Sequence, residues 1–202
     1  MPRVSEEHRS ARREQILRAA MDSAAEEGFH KTTMAHVIER SGLSAGAVYG
    51  YFRSKDEIIA ALAEHALGIV GHALDGLLAG GHTPSVPELV GHLGRTVEAQ
   101  AAATGVDLTR VMVAAWAEAV RDEAVRAVAG PKVAELRGRV ADVIAALQAE
   151  GRWDRDADPA LVAQAAIGLV PGFVLQRLIV RDVTPEGYSA AVAGLLGGQR
   201  EP

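Results

Sequence analysis

The chain has 202 residues, no cysteine and a net charge of −5, and 49% of its residues are hydrophobic. This length suffices for one or two domains with a sizeable core, and a chain without cysteine has no disulfides, cysteine–zinc sites or thiol catalysis. Residues 1–60 hold nine basic and nine acidic residues, whereas residues 61–202 hold twelve and seventeen. A locally uncharged or basic N-terminal surface is therefore compatible with an acidic protein.

The N-terminal segment has no apolar stretch of the kind found in secretory signals, and no apolar run approaches the roughly 20 residues that cross a bilayer. These observations predict a soluble cytoplasmic protein with no membrane partner. Residues 1–20 contain five arginines against three glutamates. This segment is either a solvated tail or a tail that also touches phosphate.

The first three helices are predicted close together in the chain. Apolar residues at helical spacing predict a helix over Ser10–Glu27, which Gly28 ends. Thr33 is suited to cap a short second helix, and Gly42 allows the chain to turn sharply after it. Two helices joined by such a turn form a helix-turn-helix, whose second helix fits the major groove of duplex DNA.

Ser44 is a natural N-cap for that second helix, Ala45–Tyr51, which is rich in small residues. Small residues let the backbone approach phosphates and base edges closely, and the hydroxyls of Tyr49 and Tyr51 can reach phosphate oxygens. Lys55 lies in the first turn of the next helix, where backbone donors and an ammonium would meet a phosphate. The residues expected to meet DNA are Thr33, Ser44, Ala45, Gly46, Ala47, Tyr49, Gly50, Tyr51 and Lys55.

This segment resembles the DNA-binding domain of the tetracycline-repressor (TetR) family. The family pattern runs roughly Thr-x-x-x-Ile-Ala-x-x-Ala-Gly-Val-Ser-x-Gly-Thr-Leu-Tyr-x-Tyr-Phe-x-x-Lys-x-x-Leu. The chain supplies in register Thr33, Val37, Gly42, Leu43, Ser44, Gly46, Val48, Tyr49, Tyr51, Phe52, Lys55 and Ile58. The resemblance implies an all-α fold with a three-helix DNA-binding domain in residues 1–54. A helical bundle in residues 55–202 would bind a ligand and dimerise.

Three positions depart from the family pattern. Members often place a lysine or polar residue at the position of Ala45, threonine at that of Ala47, and histidine or asparagine at that of Gly50. The recognition helix therefore has few side chains that read bases directly. We expect specificity to rest on Tyr51, on methyl contacts from Ala45 and Ala47 to thymine, and on DNA shape.

Apolar spacing and turn residues predict six further helices, about nine in all. Their ranges are approximately 55–78, 86–103, 108–120, 122–150, 158–180 and 184–197. Gly130-Pro131 is expected to kink or split the helix that contains it, and Pro171-Gly172 to bend the next one.

The last two helices carry more apolar and small residues than a surface helix needs. Either each buries one face in its own bundle, or both also pack against a second subunit in a four-helix interface. The resemblance favours the second reading, as does the small number of base pairs that a single helix-turn-helix reads. The predicted interface residues are Leu161, Ala165, Leu169, Leu175, Leu178, Ala191 and Leu195.

The resemblance also implies a pocket for a small-molecule inducer among the middle helices. An inducer acts by binding the state that does not bind DNA more tightly than the state that does. Trp116, like the other candidates, is explained equally well as ordinary core. The predicted pocket residues are Leu93, Thr96, Val97, Gln100, Met112, Trp116, Phe173 and Gln176.

The sequence provides little support for an enzyme. His65 and His72 form at most a weak metal site, and neither a phosphate-binding glycine loop nor a Gly-x-Ser-x-Gly motif is present. We predict no catalytic residue, metal or cofactor. The prediction is a bacterial repressor that binds a palindromic operator as a homodimer and is released by an inducer. The alternatives are a DNA-binding regulator without an inducer, and a helical binding module whose DNA-binding unit is vestigial.

Overall fold

The structure, a computed structural model, describes residues 6–28, 31–105 and 107–197. Arg3 of the arginine-rich N-terminal segment lies outside these residues. The regular structure of the described ranges consists of nine α-helices. They are α1 (Glu6–Glu27), α2 (Met34–Ser41), α3 (Ala45–Tyr51), α4 (Lys55–Leu78), α5 (Val86–Thr104), α6 (Leu108–Arg121), α7 (Glu123–Ala149), α8 (Pro159–Ile179) and α9 (Pro185–Gly197). The predicted all-α class is confirmed.

The bounds predicted for α3 and α4 coincide with those of the structure, because capping residues mark both helix starts. The predicted split at Gly130-Pro131 is wrong, since α7 continues through Pro131 as one helix of 27 residues. A proline removes a single backbone donor, and a helix this long persists on either side of that lost bond. Pro171 likewise lies inside the continuous α8.

The chain divides into two compact units. The first comprises the described residues of Met1–Ala66 and Thr104–Ala129, and the second those of Leu67–Ala103 and Gly130–Pro202. These units are defined by packing, and the functional boundary at residues 54 and 55 stays a prediction. In the first unit, α1 packs against α2 and α6. Its core is aliphatic and includes Ile16, Val37, Val48, Ile59 and Val111.

The second unit has its own aliphatic core, which includes Leu74, Val90, Ile144, Leu147 and Val192. Glycines allow α5 to lie close to the last helix. A Cβ at Gly91 would lie 3.1 Å from the side chain of Ser189, and one at Gly94 would lie 3.0 Å from Pro185. Close packing at these two glycines therefore contributes to this unit beside its aliphatic core.

Two helices of the described residues are long and apolar enough to cross a membrane by length and composition alone. They are α4, with 44% of its most apolar window buried, and α8, with 22% buried. The sequence expectation that no run approaches this length was therefore too strict. Core helices pass the same test, which makes it a weak indication.

Candidate nucleic-acid interface

The end groups of α2 are satisfied within the helix-turn-helix itself. Thr33 has extended backbone angles, and its hydroxyl oxygen accepts a 3.2 Å hydrogen bond from the His36 amide. Gly42 takes a left-handed conformation (φ 66°), and its amide donates to the carbonyl of Glu39 at 3.2 Å. The sequence assigned the cap and the turn to these residues, and a residue with a side chain would be strained at φ 66°.

The hydroxyl of Ser44 caps α3 by accepting from the Ala47 amide at 3.2 Å. Val48 and Phe52 are buried in the core of the first unit. They anchor the inner side of a helix of only seven residues. The rest of α3 is thereby held in a fixed orientation.

The outer face of α3 is bare. Ala45, Gly46 and Gly50 are exposed, and Tyr49 retains 49% of its accessible surface. Tyr51 instead lies half-buried against the hydrophobic core of the unit. The side chain on α3 that is best placed to meet a ligand is therefore that of Tyr49.

Two contacts of charged side chains join α1 to α2 and to the C-terminal end of α3. The Arg40 guanidinium of α2 pairs with the Glu26 carboxylate of α1. This hydrogen bond and the attraction of Arg40 lower the pKa of Glu26 below its ordinary value. The guanidinium of Arg13 lies over the ring of Phe52, 5.5 Å from its centroid, in a cation–π contact. Arg13 is thus held next to the end of α3.

Ser54 caps the N-terminus of α4, and Glu57 completes a reciprocal capping arrangement with it. The Glu57 amide donates to the Ser54 hydroxyl at 3.2 Å, and the Glu57 carboxylate accepts from the Arg53 amide at 2.7 Å. The Ser-x-x-Glu spacing of residues 54–57 is the sequence signature of such a box. A carboxylate therefore already occupies a terminus at which a phosphate was expected to meet Lys55, which is half-buried.

The predicted ligand-binding residues belong to both units. Met112 is buried and Trp116 half-buried in the first unit, whereas the other six belong to the second. In the second unit Leu93, Val97 and Phe173 are buried, and the ring of Phe173 packs against Tyr188 with centroids 5.5 Å apart. Thr96 and Gln100 are half-buried and Gln176 is exposed. Within the second unit the apolar candidates are therefore buried, and their role in binding a ligand stays a prediction.

A cleft of about 570 Å³ in the second unit was not predicted from the sequence; its lining includes Asp75, His82, Arg139 and Glu150. Arg139 pairs with Asp75, and Thr83 donates to Glu150. The hydrogen bond from Thr83 and the guanidinium of Arg152, which lies 2.8 Å from the Glu150 carboxylate, lower the pKa of Glu150. These charged side chains of the cleft are therefore paired. In the part of the chain that is described, no three histidine or acidic side chains lie close enough together to hold a metal ion.

The predicted interface residues on α8 and α9 are largely accessible. Leu161 retains 62% of its surface, Leu175 42% and Leu195 75%. Ala165 and Ala191 are also exposed, while Leu169 and Leu178 are half-buried. Ile179, 74% exposed, and Leu196, 49% exposed, add further accessible apolar side chains to the same helices.

Comparisons with known proteins agree with the helix-turn-helix geometry. Residues 16–62 match the family model described as bacterial regulatory proteins, TetR family. Residues 91–199 match the model described as BetI-type transcriptional repressor, C-terminal. The class that these matches and this geometry define is a DNA-binding transcriptional regulator.

The chain belongs to the TetR family of bacterial regulatory proteins. Among curated relatives, it is 46% identical over 63 residues to the HTH-type transcriptional repressor Rv1474c of Mycobacterium tuberculosis, an alignment that covers 31% of this chain and 34% of that protein. The chain thus spans about a third of the length of the curated relatives that it matches. The family and its relatives are transcriptional regulators, not enzymes, as the sequence predicted.

Solved structures share the fold over nearly the whole chain. A putative transcriptional regulator from Pseudomonas aeruginosa PAO1 is similar with a TM-score of 0.77 at 21% identity, over 97% of this chain and 92% of that one. FadR from Bacillus subtilis, solved in complex with stearoyl-CoA, is similar with a TM-score of 0.75 at 17% identity, over 91% and 97%. Identities this low show the fold alone.

Proposed function

We propose that this protein is a cytoplasmic repressor that binds a palindromic operator as a homodimer and is released from it by a small-molecule inducer. The observation that carries the proposal is the capped α2–turn–α3 unit, whose second helix is anchored by Val48 and Phe52 and exposed along its outer face. This is the geometry in which a recognition helix enters a major groove. The DNA contacts would come from the residues predicted above.

The length of α3 supports a dimer. A helix of seven residues spans only about 10 Å and reads few base pairs. Two such helices related by a two-fold axis would read two half-sites one helical turn apart. Exposed leucines and isoleucine on α8 and α9 supply an apolar surface of the kind that marks protein interfaces.

Selection from a pool of random-sequence duplexes tests this proposal. We expect the enriched sequences to be two-fold symmetric, and the purified complex to contain two chains per duplex. Affinity should fall steeply with salt, and Lys55→Ala should reduce the slope of log affinity against log salt by about one. Enrichment of asymmetric sequences bound by one chain would contradict the dimer, and failure to enrich any sequence would favour a vestigial DNA-binding unit.

The inducer is supported by relatives of the same fold, one of which holds stearoyl-CoA. A regulator without an inducer is the second candidate, and the burial of Leu93, Val97 and Phe173 in the core of the second unit favours it. A panel of small amphipathic molecules, beginning with stearoyl-CoA, distinguishes the two. Release of the selected duplex at saturating compound supports the inducer. A panel that neither raises the melting temperature nor releases DNA supports the second candidate.

A further inference from the structure

The exposed face of α3 has almost no hydrogen-bonding chemistry. All seven residues of this helix are described, and the exposed ones are Ala45, Gly46, Tyr49 and Gly50. Among these four, the phenol of Tyr49 is the one hydrogen-bonding side chain. Bidentate recognition of guanine by arginine or lysine, and of adenine by asparagine or glutamine, needs side chains that this face does not have.

The fold does not require glycine at the two exposed positions of α3 that have no side chain. A Cβ built at Gly46 or Gly50 meets no atom within 4 Å, and neither residue has a left-handed backbone. Each glycine destabilises a helix interior by about 1 kcal/mol relative to alanine. Packing therefore accounts for neither glycine, and the free protein has room for a Cβ atom at both positions.

Apart from the phenol of Tyr49, what remains on this face for direct recognition is apolar contact. Alanine methyl groups contact the C5-methyl group of thymine in the major groove, and glycine lets a helix backbone approach closely. We infer that α3 reads thymine methyl groups, through the methyl of Ala45 and the bare backbone at Gly46 and Gly50. The half-site under α3 is then specified by A·T pairs. This inference rests on the proposed operator binding.

Base analogues test the inference without altering the protein. The operator is first selected from random-sequence duplexes, and each thymine of a half-site is then replaced singly by uracil, which keeps the pairing edge and lacks the methyl. We expect a loss of about threefold to fivefold in affinity for each contacted methyl. Replacing the same A·T pair by a 5-methylcytosine·guanine pair should bind several-fold more tightly than replacing it by cytosine·guanine.

A protein variant locates the contact. Ala45→Gly removes one methyl, so the ratio of thymine to uracil affinities should fall toward one at a single operator position. The control is Ala145→Gly on α7, where the alanine is also exposed, and its ratios should equal those of the original protein. Equal affinity for thymine and uracil operators overturns this inference and leaves the proposed function standing. Selection of an operator without thymine under α3 also overturns the inference alone, whereas failure to bind any duplex overturns both.

Discussion

The side-chain amide of Gln15 donates a 2.7 Å hydrogen bond to the backbone carbonyl of Ser41. Ser41 is the last residue of α2, where carbonyls have no partner within the helix. Its hydroxyl donates to the Ile38 carbonyl and accepts from the Leu43 amide. This bond thus ties the turn between α2 and α3 to α1.

We expect Gln15→Met to weaken operator binding. The substitution keeps the length of the side chain and removes the donor, so the part-buried carbonyl loses its bond at a cost of about 1 kcal/mol in unfolding free energy. The turn would no longer hold α3 at a fixed angle to α1. Gln148→Met is the control, because the Gln148 amide donates to two backbone carbonyls of the second unit, those of Asp154 and Ala157, both at 2.7 Å. Equal effects of both variants on DNA affinity would show that only global stability matters.

Removal of the α3 cap separates local order from overall stability in the same way. We expect Ser44→Ala to lower the unfolding free energy by about 1 kcal/mol and to weaken DNA binding, because the first turn of α3 would fray. Asp158→Ala removes the cap of α8, where the carboxylate accepts from the Ala160 amide at 2.8 Å. It should produce a similar stability loss in denaturant titrations. A similar loss of DNA affinity in this control would refute the local explanation.

The sequence predicted the helices whose ends are set by capping or turn residues at the ends themselves. Ser44, Gly42 and Asp158 are capping or turn residues, and α3 begins where Ser44 placed it. Contacts between residues that are distant in the chain produce no periodic pattern in the sequence, so they could not be predicted from it. The bond from Gln15 to Ser41 joins residues 26 apart, and that from Thr83 to Glu150 joins residues 67 apart. Neither the anchoring of the turn nor the paired charges of the second-unit cleft could be predicted.

The placement of Phe173 illustrates the same limit. Its aromatic side chain suited a pocket wall as well as a core, and its contact with the ring of Tyr188 on the next helix could not be predicted from the sequence. The exposure of Ile179 likewise depends on where α8 ends and on which side of this helix packs against the rest of the second unit. Local pattern gives a helix its apolar residues, and only the packed chain decides which of them are buried.

The start of α5 should make stability depend on acid pH. The Glu88 carboxylate accepts from the amide and the hydroxyl of Ser85, both at 2.7 Å, and these bonds lower its pKa below the ordinary 4.5. A lowered pKa in the folded state means that ionised Glu88 stabilises the fold above the unfolded value, and that this stabilisation is lost as pH falls through the folded pKa.

Glu88→Gln tests this prediction because it keeps an acceptor and removes the charge. We expect the difference in melting temperature between the two proteins to be constant at neutral pH and to shrink below about 4.5. The variant leaves unchanged the ion pair between Arg95 of the same helix and Glu186, whose nitrogen and oxygen atoms lie 3.7 Å apart. A difference that stays constant through the acid range would contradict the role assigned to the Glu88 charge.

The apolar surface of α8 and α9 predicts how the chain associates. We expect Leu195→Glu to convert a dimer into monomers and to reduce operator affinity by at least tenfold, because a charge would be buried in the interface without a partner. Val120→Glu is the matched control, since Val120 is 78% exposed and Leu195 75%, and Val120 lies outside the predicted interface. Sedimentation equilibrium measures the outcome, and a dimer that survives Leu195→Glu would place the interface elsewhere.

Gly50→Ala should separate stability from function. A Cβ at Gly50 meets no atom within 4 Å, so alanine is accommodated and should raise the unfolding free energy by about 0.5–1 kcal/mol. In the complex with DNA the same methyl would keep the α3 backbone farther from the bases of the major groove, so the affinity for the operator should fall. Gly138→Ala on α7, where a Cβ also meets nothing within 4 Å, should stabilise the protein equally and leave affinity unchanged. If Gly50→Ala bound the operator as tightly as the original protein, close approach of the α3 backbone would not be part of recognition.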